Sequence, residues 1–321
     1  MGLVTKHILY IAAVLCFAMS PVGAATLDEV RDRGTVRCGV SDDLAGFGWN
    51  EGNGRWSGFH IDFCRAVAAA IFGDAAAVEF IALSDKERFA ALRQSGIDIL
   101  ARNTGLTISR DTALGLAFPV VSYFDGQGFL VRVEMGLTSA KELSGTRICV
   151  QAGSRAELDM ARFFASNTMA YNPVVFERSE EAIAAYESAR CGAFTDDESR
   201  LHIIRQGRDQ PSEHAVLPEI ISRNPVGPVV RKDDHWLFDL VRWVYFALVR
   251  AEELGVTSEN VDSLADTQDD EIRAFLDAPG PGSDALGIAP GWTANIVRIT
   301  GNYGEIFERN LGLDSPIGMP R

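Results

Sequence analysis

Two successive series of alternating strand and helix patterns restrict this 321-residue chain to an α/β architecture. In each series, short runs of apolar and β-branched residues, which indicate buried strands, are separated by amphipathic helical patterns. The runs lie at 35–40, 78–82 and 97–101 in the first series and at 147–150, 174–176 and 192–195 in the second. Strands that alternate with helices form mainly parallel sheets covered by helices. The chain is therefore predicted to fold into two α/β lobes.

Two capping-box spacings predict where helices begin within these series. Ser84 is followed three residues later by Glu87, which predicts a helix that begins at Asp85. Ser154 is followed by Glu157 in the same way, which predicts a second helix directly after Ser154.

Two stretches are predicted to connect the lobes. Residues 118–132 contain proline and glycine among β-forming residues, and residues 225–230 are typical of a return crossing. We expect 26–131 to form the first part of lobe 1, 132–226 to form lobe 2, and 227–321 to return to lobe 1. Two lobes joined by two crossings enclose a cleft, and a ligand held from both sides favours the closed form.

The C-terminal part of the chain is predicted to be helical. Between Trp236 and Leu254 the apolar residues have helical spacing but are interrupted by charged ones, which indicates a packing helix rather than a membrane span. One further helix is predicted over 292–310.

The N-terminal 25 residues have the pattern of a secretory signal peptide. Lys6 and His7 precede an apolar run, and small residues follow it, which predicts cleavage after Ala24 or Ala25. Cys16 is interpreted as part of the apolar signal core. The mature chain is accordingly expected in the periplasm.

Four cysteines remain after the signal peptide is removed. An even number in an exported chain favours two disulfides, although four cysteines permit three pairings. Because they cluster in pairs along the chain, we predict the bonds Cys38–Cys64 and Cys149–Cys191. Neither the cysteines nor the five histidines have metal-site spacing, so no metal and no cofactor are expected.

The composition excludes some partners. The formal net charge is −14, and no basic run is present. Such a surface repels phosphate backbones, so nucleic-acid binding is not expected.

A polar stretch follows the third strand of the first series. Residues 102–111 place an amide, hydroxyl groups and two guanidinium groups where the carboxyl end of a buried parallel strand usually faces a ligand crevice. Arg110 is the leading candidate, because its planar fork matches a carboxylate. The alternative is that Arg110 pairs locally with Asp111.

Many blocks in the mature chain resemble the bacterial extracellular solute-binding proteins of ABC transporters for polar amino acids, above all the general L-amino-acid-binding subgroup. The resemblance rests on blocks that include Cys38-Gly39-Val40, Trp56-Ser57-Gly58-Phe59, Arg102-Asn103-Thr104, Arg110-Asp111-Thr112, Tyr123-Phe124-Asp125-Gly126, Ile148-Cys149-Val150-Gln151 and Asn302-Tyr303-Gly304-Glu305. It implies the two-lobed type II periplasmic-binding-protein fold, free L-amino acids as ligands and an inner-membrane ABC permease as partner. A monomer is expected.

The resemblance also implies roles for residues of lobe 1. Arg110 matches the arginine that grips the ligand α-carboxylate. Asn103 matches a position, often Ser, that faces the α-ammonium or the α-carboxylate group, and Thr104 and Gly105 beside it are further candidates for ligand binding. Gly105 stands where a hydroxyl residue is usual, and His60 replaces the usual acidic residue.

In lobe 2, Asp197 matches the carboxylate that takes the α-ammonium group, with Asp196 as its rival and a helix cap as the alternative role. Gly153 and Ser154 match a backbone turn whose N–H groups meet the α-carboxylate at a helix N-terminus, where the free amides and the helix dipole favour an anion.

Two further arginines are predicted to select the ligand side chain. Arg88 matches a position that reaches the distal carboxylate in acidic-amino-acid binders, and Arg155 or Arg102 could add to this positive subsite. The resulting hypothesis is a broad L-amino-acid range with a preference for Glu, Asp and their amides. Alternatively, Arg155 pairs with Asp159 at helical i,i+4 spacing.

Two other functions compete with transport. A periplasmic enzyme of the cyclohexadienyl or arogenate dehydratase kind would need an acid/base group, for which Glu198 and His202 are candidates at ordinary i,i+4 spacing. A sensing domain of a receptor is the third possibility. We expect a transport binding protein and not an enzyme.

Overall fold

A computed structural model describes residues 26–277 and 281–320 of the chain. The predicted signal peptide, with Cys16 and the cleavage site, lies outside the described residues. The described part is a mixed α/β structure with two main sheets.

The first segment contains a parallel sheet and a small antiparallel sheet. Its elements are α1 (Thr26–Arg33), β1 (Val36–Val40), β2 (Asp43–Leu44), β3 (Gly48–Gly52), β4 (Arg55–Ser57), α2 (Phe59–Phe72), β5 (Val78–Ala82), α3 (Arg88–Arg93), β6 (Ile99–Leu100), α4 (Ile108–Ala113), β7 (Leu116–Ala117) and β8 (Tyr123–Asp125). Strands β5, β1 and β6 form the parallel sheet in that order, and β2, β3 and β4 form the antiparallel sheet. Helix α2 packs on it because its apolar residues bury one broad face.

The second segment repeats this plan. Its elements are β9 (Gln127–Arg132), β10 (Arg147–Gln151), α5 (Arg155–Ser166), β11 (Asn172–Phe176), α6 (Ser179–Glu187), β12 (Ala193–Asp197), α7 (Glu198–Gln206) and β13 (His214–Val216). The sheet order is β11-β10-β12-β9-β13, with β9 antiparallel to both of its neighbours.

The third segment returns to the first sheet. Its elements are β14 (Asn224–Val226), β15 (Val230–Arg231), α8 (His235–Glu253), α9 (Asp270–Asp277), α10 (Pro281–Leu286), α11 (Trp292–Thr300) and α12 (Tyr303–Asn310). Helices α8, α11 and α12 share the largest hydrophobic core cluster with α2 and β1. In the described ranges no helix is long and apolar enough to cross a membrane.

Strands β7 and β15 pair beside β6 in the first lobe, where Leu100 bridges to Val229. The antiparallel pair of β8 and β14 lies where the chain passes between the lobes. The backbones approach closely here, which explains a glycine on each crossing. A Cβ on Gly126 would collide with Ile220 and the carbonyl of Ser222, and one on Gly227 would collide with the carbonyl of Val120. Strands β8 and β14 overlap the two predicted crossings, 118–132 and 225–230, and the fold class is confirmed.

The lobe boundaries remain a proposal. Strand β9 lies wholly in the second sheet. This supports moving the first boundary from 131 to 126, directly before Gln127, and keeping the second at 226.

Both predicted disulfides are confirmed. Cys38–Cys64 joins β1 to α2, and Cys149–Cys191 joins β10 to the segment before β12. Each bond therefore tethers a core strand within its own lobe.

Two helix predictions were wrong in their limits. Helix α3 begins at Arg88 rather than Asp85, and the Ser84 hydroxyl donates to Glu87 (2.5 Å) instead of capping a backbone amide. The single helix predicted over 292–310 is two helices, because Gly301 (φ 82°) ends α11 and Asn302 starts α12 with a capping box.

Candidate functional site

The carboxyl ends of β1 and β5 open into a cavity of about 620 Å³. It is lined by Asp42 and Asp43, which follow β1, by residues 82–86, which follow β5, and by Arg102, which follows β6. This is the position at which parallel α/β sheets bind ligands. The polar stretch predicted from the sequence therefore reaches this first-lobe cavity through its first residue, Arg102.

Arg110 is held in position by its own loop. Thr107 caps α4 by accepting a hydrogen bond from the Arg110 amide (3.3 Å), and Arg110 Nη1 donates to the Gly105 carbonyl (2.7 Å). The guanidinium also lies over the ring of Phe89, 5.5 Å from its centre. Among the ion pairs of the described residues, none joins Arg110 to Asp111, so the local-pair alternative is not supported.

Two guanidinium groups contact one carboxylate in the first lobe, and the charge of Arg110 acts on it as well. Asp85 Oδ1 lies 3.2 Å from Arg88 Nη2 and 2.6 Å from Arg102 Nη1. Burial lowers the pKa of both Arg88 and Arg110, against the influence of Asp85, and their mutual repulsion lowers that of Arg88 further. In the part of the chain that the structure describes, the buried Nε atoms of Arg88 and Arg102 have no hydrogen-bond partner. The cluster thus has an excess of positive charge and unused donors.

Asn103 is held in an unusual conformation by His60. Its φ angle is 27°, in the left-handed region that non-glycine residues rarely adopt. The Asn103 amide donates to His60 Nε2 (3.0 Å), and the side chains of the two residues are also in contact. Burial lowers the pKa of His60 to about 4, and the charge of Arg102 acts in the same direction, against the contact with Asn103. His60 is therefore a neutral acceptor at physiological pH.

Thr104 and Gly105 join the first-lobe loop to the hinge. Thr104 is fully buried; its hydroxyl donates to the Arg102 carbonyl (2.9 Å) and its carbonyl accepts from the Gly227 amide (3.2 Å). A Cβ on Gly105 would lie 2.7 Å from Asn224 Oδ1 and 3.4 Å from Arg110 Nη1. Gly105 therefore contributes its carbonyl, and the hydroxyl group usual at this position would have to displace the Asn224 amide.

Asp197 ends β12 and directly precedes α7. Its carboxylate accepts no capping hydrogen bond from that helix within the described residues, so the capping alternative is not supported. The rival Asp196 is already engaged: it accepts from the Asp197 amide (2.9 Å) and pairs with Arg200 (3.3 Å). These contacts favour Asp197 as the carboxylate that remains for a ligand.

Asp197 belongs to a cluster of carboxylates around the start of α7. Burial raises its pKa to about 7, with the charges of Asp125 and Asp196 acting in the same direction and Arg155 and Arg200 opposing them. Burial and the charge of Asp125 also raise the pKa of Glu198 to about 7. A cation placed here would relieve this repulsion.

Asp125 connects the carboxylate cluster to the hinge. It ends β8, and its carboxylate accepts from the Ser199 hydroxyl (2.5 Å) and the Ser199 amide (3.2 Å) at the first turn of α7. Burial raises its pKa, although these hydrogen bonds lower it and the charge of Asp196 adds to the rise. Strand β14 of the hinge pair therefore contacts the first-lobe loop that contains Gly105, and strand β8 contacts the first turn of α7, directly after Asp197.

Gly153 and Ser154 form the start of α5 as predicted. Ser154 caps the helix by accepting from the Glu157 amide (3.2 Å), while the Gly153 amide donates to the Glu157 side chain (2.8 Å). A Cβ on Gly153 would meet no atom within 4 Å among the residues described, so open space faces this turn. An anion at the turn would compete with Glu157 for the Gly153 amide.

Arg155 forms the i,i+4 ion pair with Asp159 that was the alternative to a ligand contact. Its Nε lies 3.1 Å from Asp159 Oδ2, and its Nη2 donates to the Arg223 carbonyl (3.2 Å). Its charge nonetheless acts on Asp197.

Sequence reasoning assigned no role to Asp85, Asp125 or Gln127. Gln127 Nε2 donates to the Ala156 carbonyl (2.8 Å) and to Thr195 Oγ1 (2.7 Å), so it ties α5 to β12. Asp125 lies in the block 123–126 that carries the family resemblance, which could have indicated it, and Gln127 directly follows that block. Asp85 had no such signal, because its contact with Arg102 joins residues that are 17 positions apart and its contact with Arg88 by itself indicates only an ordinary pair on a helix.

The arrangement suits a small molecule with both charges. A cationic cluster on one lobe and an anionic cluster on the other attach to the same hinge strands. Among the described residues, no group of three or more His, Cys, Asp or Glu side chains could hold a metal ion. Fold and site together define a two-lobed solute-binding protein of the type II periplasmic-binding-protein class.

Comparison with known proteins identifies the family. Residues 36–260 match the bacterial extracellular solute-binding proteins, family 3, and the chain belongs to this family. It is 48% identical to the general L-amino acid-binding periplasmic protein AapJ of Rhizobium johnstonii, over 97% of this chain and 92% of that protein. It is 41% identical to the glutamate/glutamine/aspartate/asparagine-binding protein BztA of Rhodobacter capsulatus, over 96% and 92% of the two chains.

A solved structure is also similar. It is described as an ABC transporter / periplasmic binding protein from Brucella ovis with glutathione bound, and it is 48% identical to this chain. The TM-score is 0.81, with 93% of this chain and 94% of that chain covered. These relatives are solute-binding proteins, which agrees with the prediction that the chain is not an enzyme.

Proposed function

We propose that this protein captures free L-amino acids in the periplasm, as a monomer, and delivers them to an inner-membrane ABC permease. The observation that carries the proposal is the placement of opposite charges on the two lobes, both attached to the hinge pair β8–β14. A zwitterion that meets both clusters favours closure, because only the closed form satisfies both of its charges at once. The names of AapJ and BztA support an amino-acid ligand.

The α-carboxylate is assigned to Arg110, with Asn103 beside it and the Gly153–Ser154 turn opposite. Arg110 can turn its fork from the Gly105 carbonyl to the ligand, which provides two parallel charge-assisted hydrogen bonds. Thr104 and Gly105 shape this edge through their backbone.

The α-ammonium is assigned to Asp197. A desolvated carboxylate with a raised pKa gains a compensating cation when the ligand arrives.

We further propose a preference for Glu, Asp, Gln and Asn within a broad range. Arg102 lines the first-lobe cavity, and Arg88 contacts Asp85 beside it; both carboxylate and amide oxygens accept hydrogen bonds from guanidinium groups. Arg155 stays in the proposed ligand set through its charge beside Asp197, and a ligand would compete with Asp159 for its guanidinium. The name of BztA supports this range of side chains.

A second candidate ligand is a γ-glutamyl peptide such as glutathione. It is favoured by the Brucella ovis structure, which is described with glutathione bound. The glutamyl end of glutathione has a free α-ammonium and α-carboxylate, so Arg110 and Asp197 would meet the same groups as in glutamate.

The enzyme alternative receives less support. Glu198 Oε1 lies 4.0 Å from His202 Nε2. Burial lowers the pKa of His202 to about 4, and the charge of Arg205 acts in the same direction. A neutral, enclosed histidine is poorly suited to protonating a leaving hydroxyl group, which leaves Glu198, with its pKa raised to about 7, as the acid of this pair. The names of AapJ and BztA, which describe binding proteins, favour binding over catalysis.

A ligand screen tests the proposal. The mature protein is titrated by calorimetry with Glu, Gln, Leu, His and glutathione, and all common amino acids are screened by thermal shift. Glu and Gln are expected to bind more tightly than Leu and His. Tighter binding of Leu or His would contradict the preference, and binding of no amino acid, or turnover of prephenate, would refute the function.

A matched pair of variants tests the site. Arg110→Ala is expected to weaken binding by about 100-fold or more, because a buried charge-assisted contact is lost. Arg93→Ala removes an exposed arginine of α3 and is expected to bind as the wild type does. Retained affinity in Arg110→Ala would show that Arg110 does not hold the ligand.

A further inference from the structure

Asp85 is the one carboxylate that contacts the arginine cluster among the described residues. A single oxygen, Oδ1, contacts both Arg88 and Arg102, while 73% of the side chain is exposed and Asp85 lines the cavity at the end of β5. Burial opposes its charged form, but Arg102, Arg88 and Arg110 outweigh this and lower its pKa. Asp85 is therefore an anion that lies where a ligand carboxylate is expected to bind.

We propose that Asp85 sets the charge selectivity of the site by reducing the advantage of acidic ligands over their amides. This inference rests on the proposed function, in which Arg88 and Arg102 face the ligand side chain. It adds a residue that the family resemblance did not indicate and that no relative's name implies.

The physical basis is the difference between charge and hydrogen bonding. A ligand carboxylate gains from the net positive field of the arginines, and a fixed anion in contact with two of them lowers that field. A ligand amide depends mainly on N–H donors, and Asp85 contacts only one Nη atom on each of Arg88 and Arg102, whose guanidinium groups carry five N–H donors each. Asp85 thus weakens the binding of free glutamate and aspartate more than that of free glutamine and asparagine. The affinities of the acidic ligands and of their amides become more similar.

The other charged groups nearby do not replace Asp85 in this role. Asp42, Asp43 and Lys86 line the same cavity, and the contacts of Asp43 include the Ser41 hydroxyl (2.8 Å). None of the three is among the groups that act on the pKa of Asp85, Arg88 or Arg110. Selectivity is therefore expected to respond to the charge at position 85 specifically.

The test compares Asp85→Asn with Glu87→Gln. Both variants replace one carboxylate by its amide within the same turn, but the Glu87 carboxylate is bonded to Ser84 rather than to the arginines. Affinities for Glu and Gln are measured by calorimetry in wild type and both variants at one ionic strength. Asp85→Ala, which removes the charge and the hydrogen bond together, serves as a second variant.

Asp85→Asn and Asp85→Ala are both expected to shift the ratio of Glu affinity to Gln affinity about tenfold toward Glu, equivalent to about 1.4 kcal/mol. Glu87→Gln is expected to leave the ratio unchanged. A ratio that stays constant in the Asp85 variants, or that moves toward Gln, would overturn the inference while wild-type binding upheld the proposed function. If wild type binds no amino acid, the proposed function fails and this inference fails with it.

Discussion

Acidification is expected to weaken glutamine binding through Asp197. The pKa of this carboxyl group is raised to about 7, mainly by burial, whereas the bound α-ammonium stabilises its charged form. The apparent association constant therefore follows the deprotonated fraction of Asp197 in the free protein. That fraction is about one half at pH 7 and about one hundredth at pH 5, so the affinity is expected to fall about 50-fold between them.

The sign follows from linkage. Because the free protein binds more protons than the complex, binding releases protons, and a lower pH opposes it. Glutamine is the suitable ligand, since neither its α-groups nor its side chain titrates between pH 5 and 7. Calorimetry in buffers of different ionisation enthalpy should detect release of about half a proton per glutamine bound at pH 7.

Two variants isolate the carboxyl group responsible. Asp197→Asn is expected to bind more weakly at pH 8 and to lose the pH dependence. Glu198→Gln removes the neighbouring carboxylate, whose pKa is also raised to about 7, and is expected to keep most of the pH dependence. Constant wild-type affinity from pH 5 to 7, or an equal slope in Asp197→Asn, would refute this reasoning.

Three further predictions concern the framework of the site. His60→Leu removes the acceptor for the Asn103 amide and is expected to weaken ligand binding about tenfold, and His60→Gln is expected to restore most of the affinity. Affinity is measured by calorimetry and the melting temperature is measured on the ligand-free protein. A purely structural effect would lower only the melting temperature. Replacing Cys149 and Cys191 by serine opens a link between residues 42 apart and should lower the free energy of unfolding by about 4 kcal/mol in denaturant titrations; an unchanged value would contradict this. Gly126→Ala forces a Cβ into the opposite crossing and should destabilise the protein by about 1–3 kcal/mol; a neutral effect would show that the crossings separate easily.

The order of strands and helices could be predicted because it depends on local periodicity. Buried parallel strands such as β1 need continuous apolar residues, and the helices between them need one apolar face, so each pattern is visible within a short window. The limits of helices were less predictable. At Ser84 the hydroxyl bonded a side chain instead of a backbone amide, and at Gly301 a positive φ divided what had the periodicity of one helix.

The residue types of the binding site could also be expected from the sequence. Arg110, Asn103 and Asp197 were assigned through a family resemblance, which supplies positions but no contacts. The disulfide pairs were predictable because proximity along the chain favoured them.

Tertiary structure alone decided how the charges of the site combine. Asp85 meets Arg102, which is 17 residues away, and Asp125 meets Ser199, which is 74 residues away, because the hinge and the sheet edges bring these segments together. The raised pKa of Asp197 likewise comes from burial beside carboxylates of other segments. A sequence records which groups can ionise, but their field and solvation depend on distances that exist only after folding.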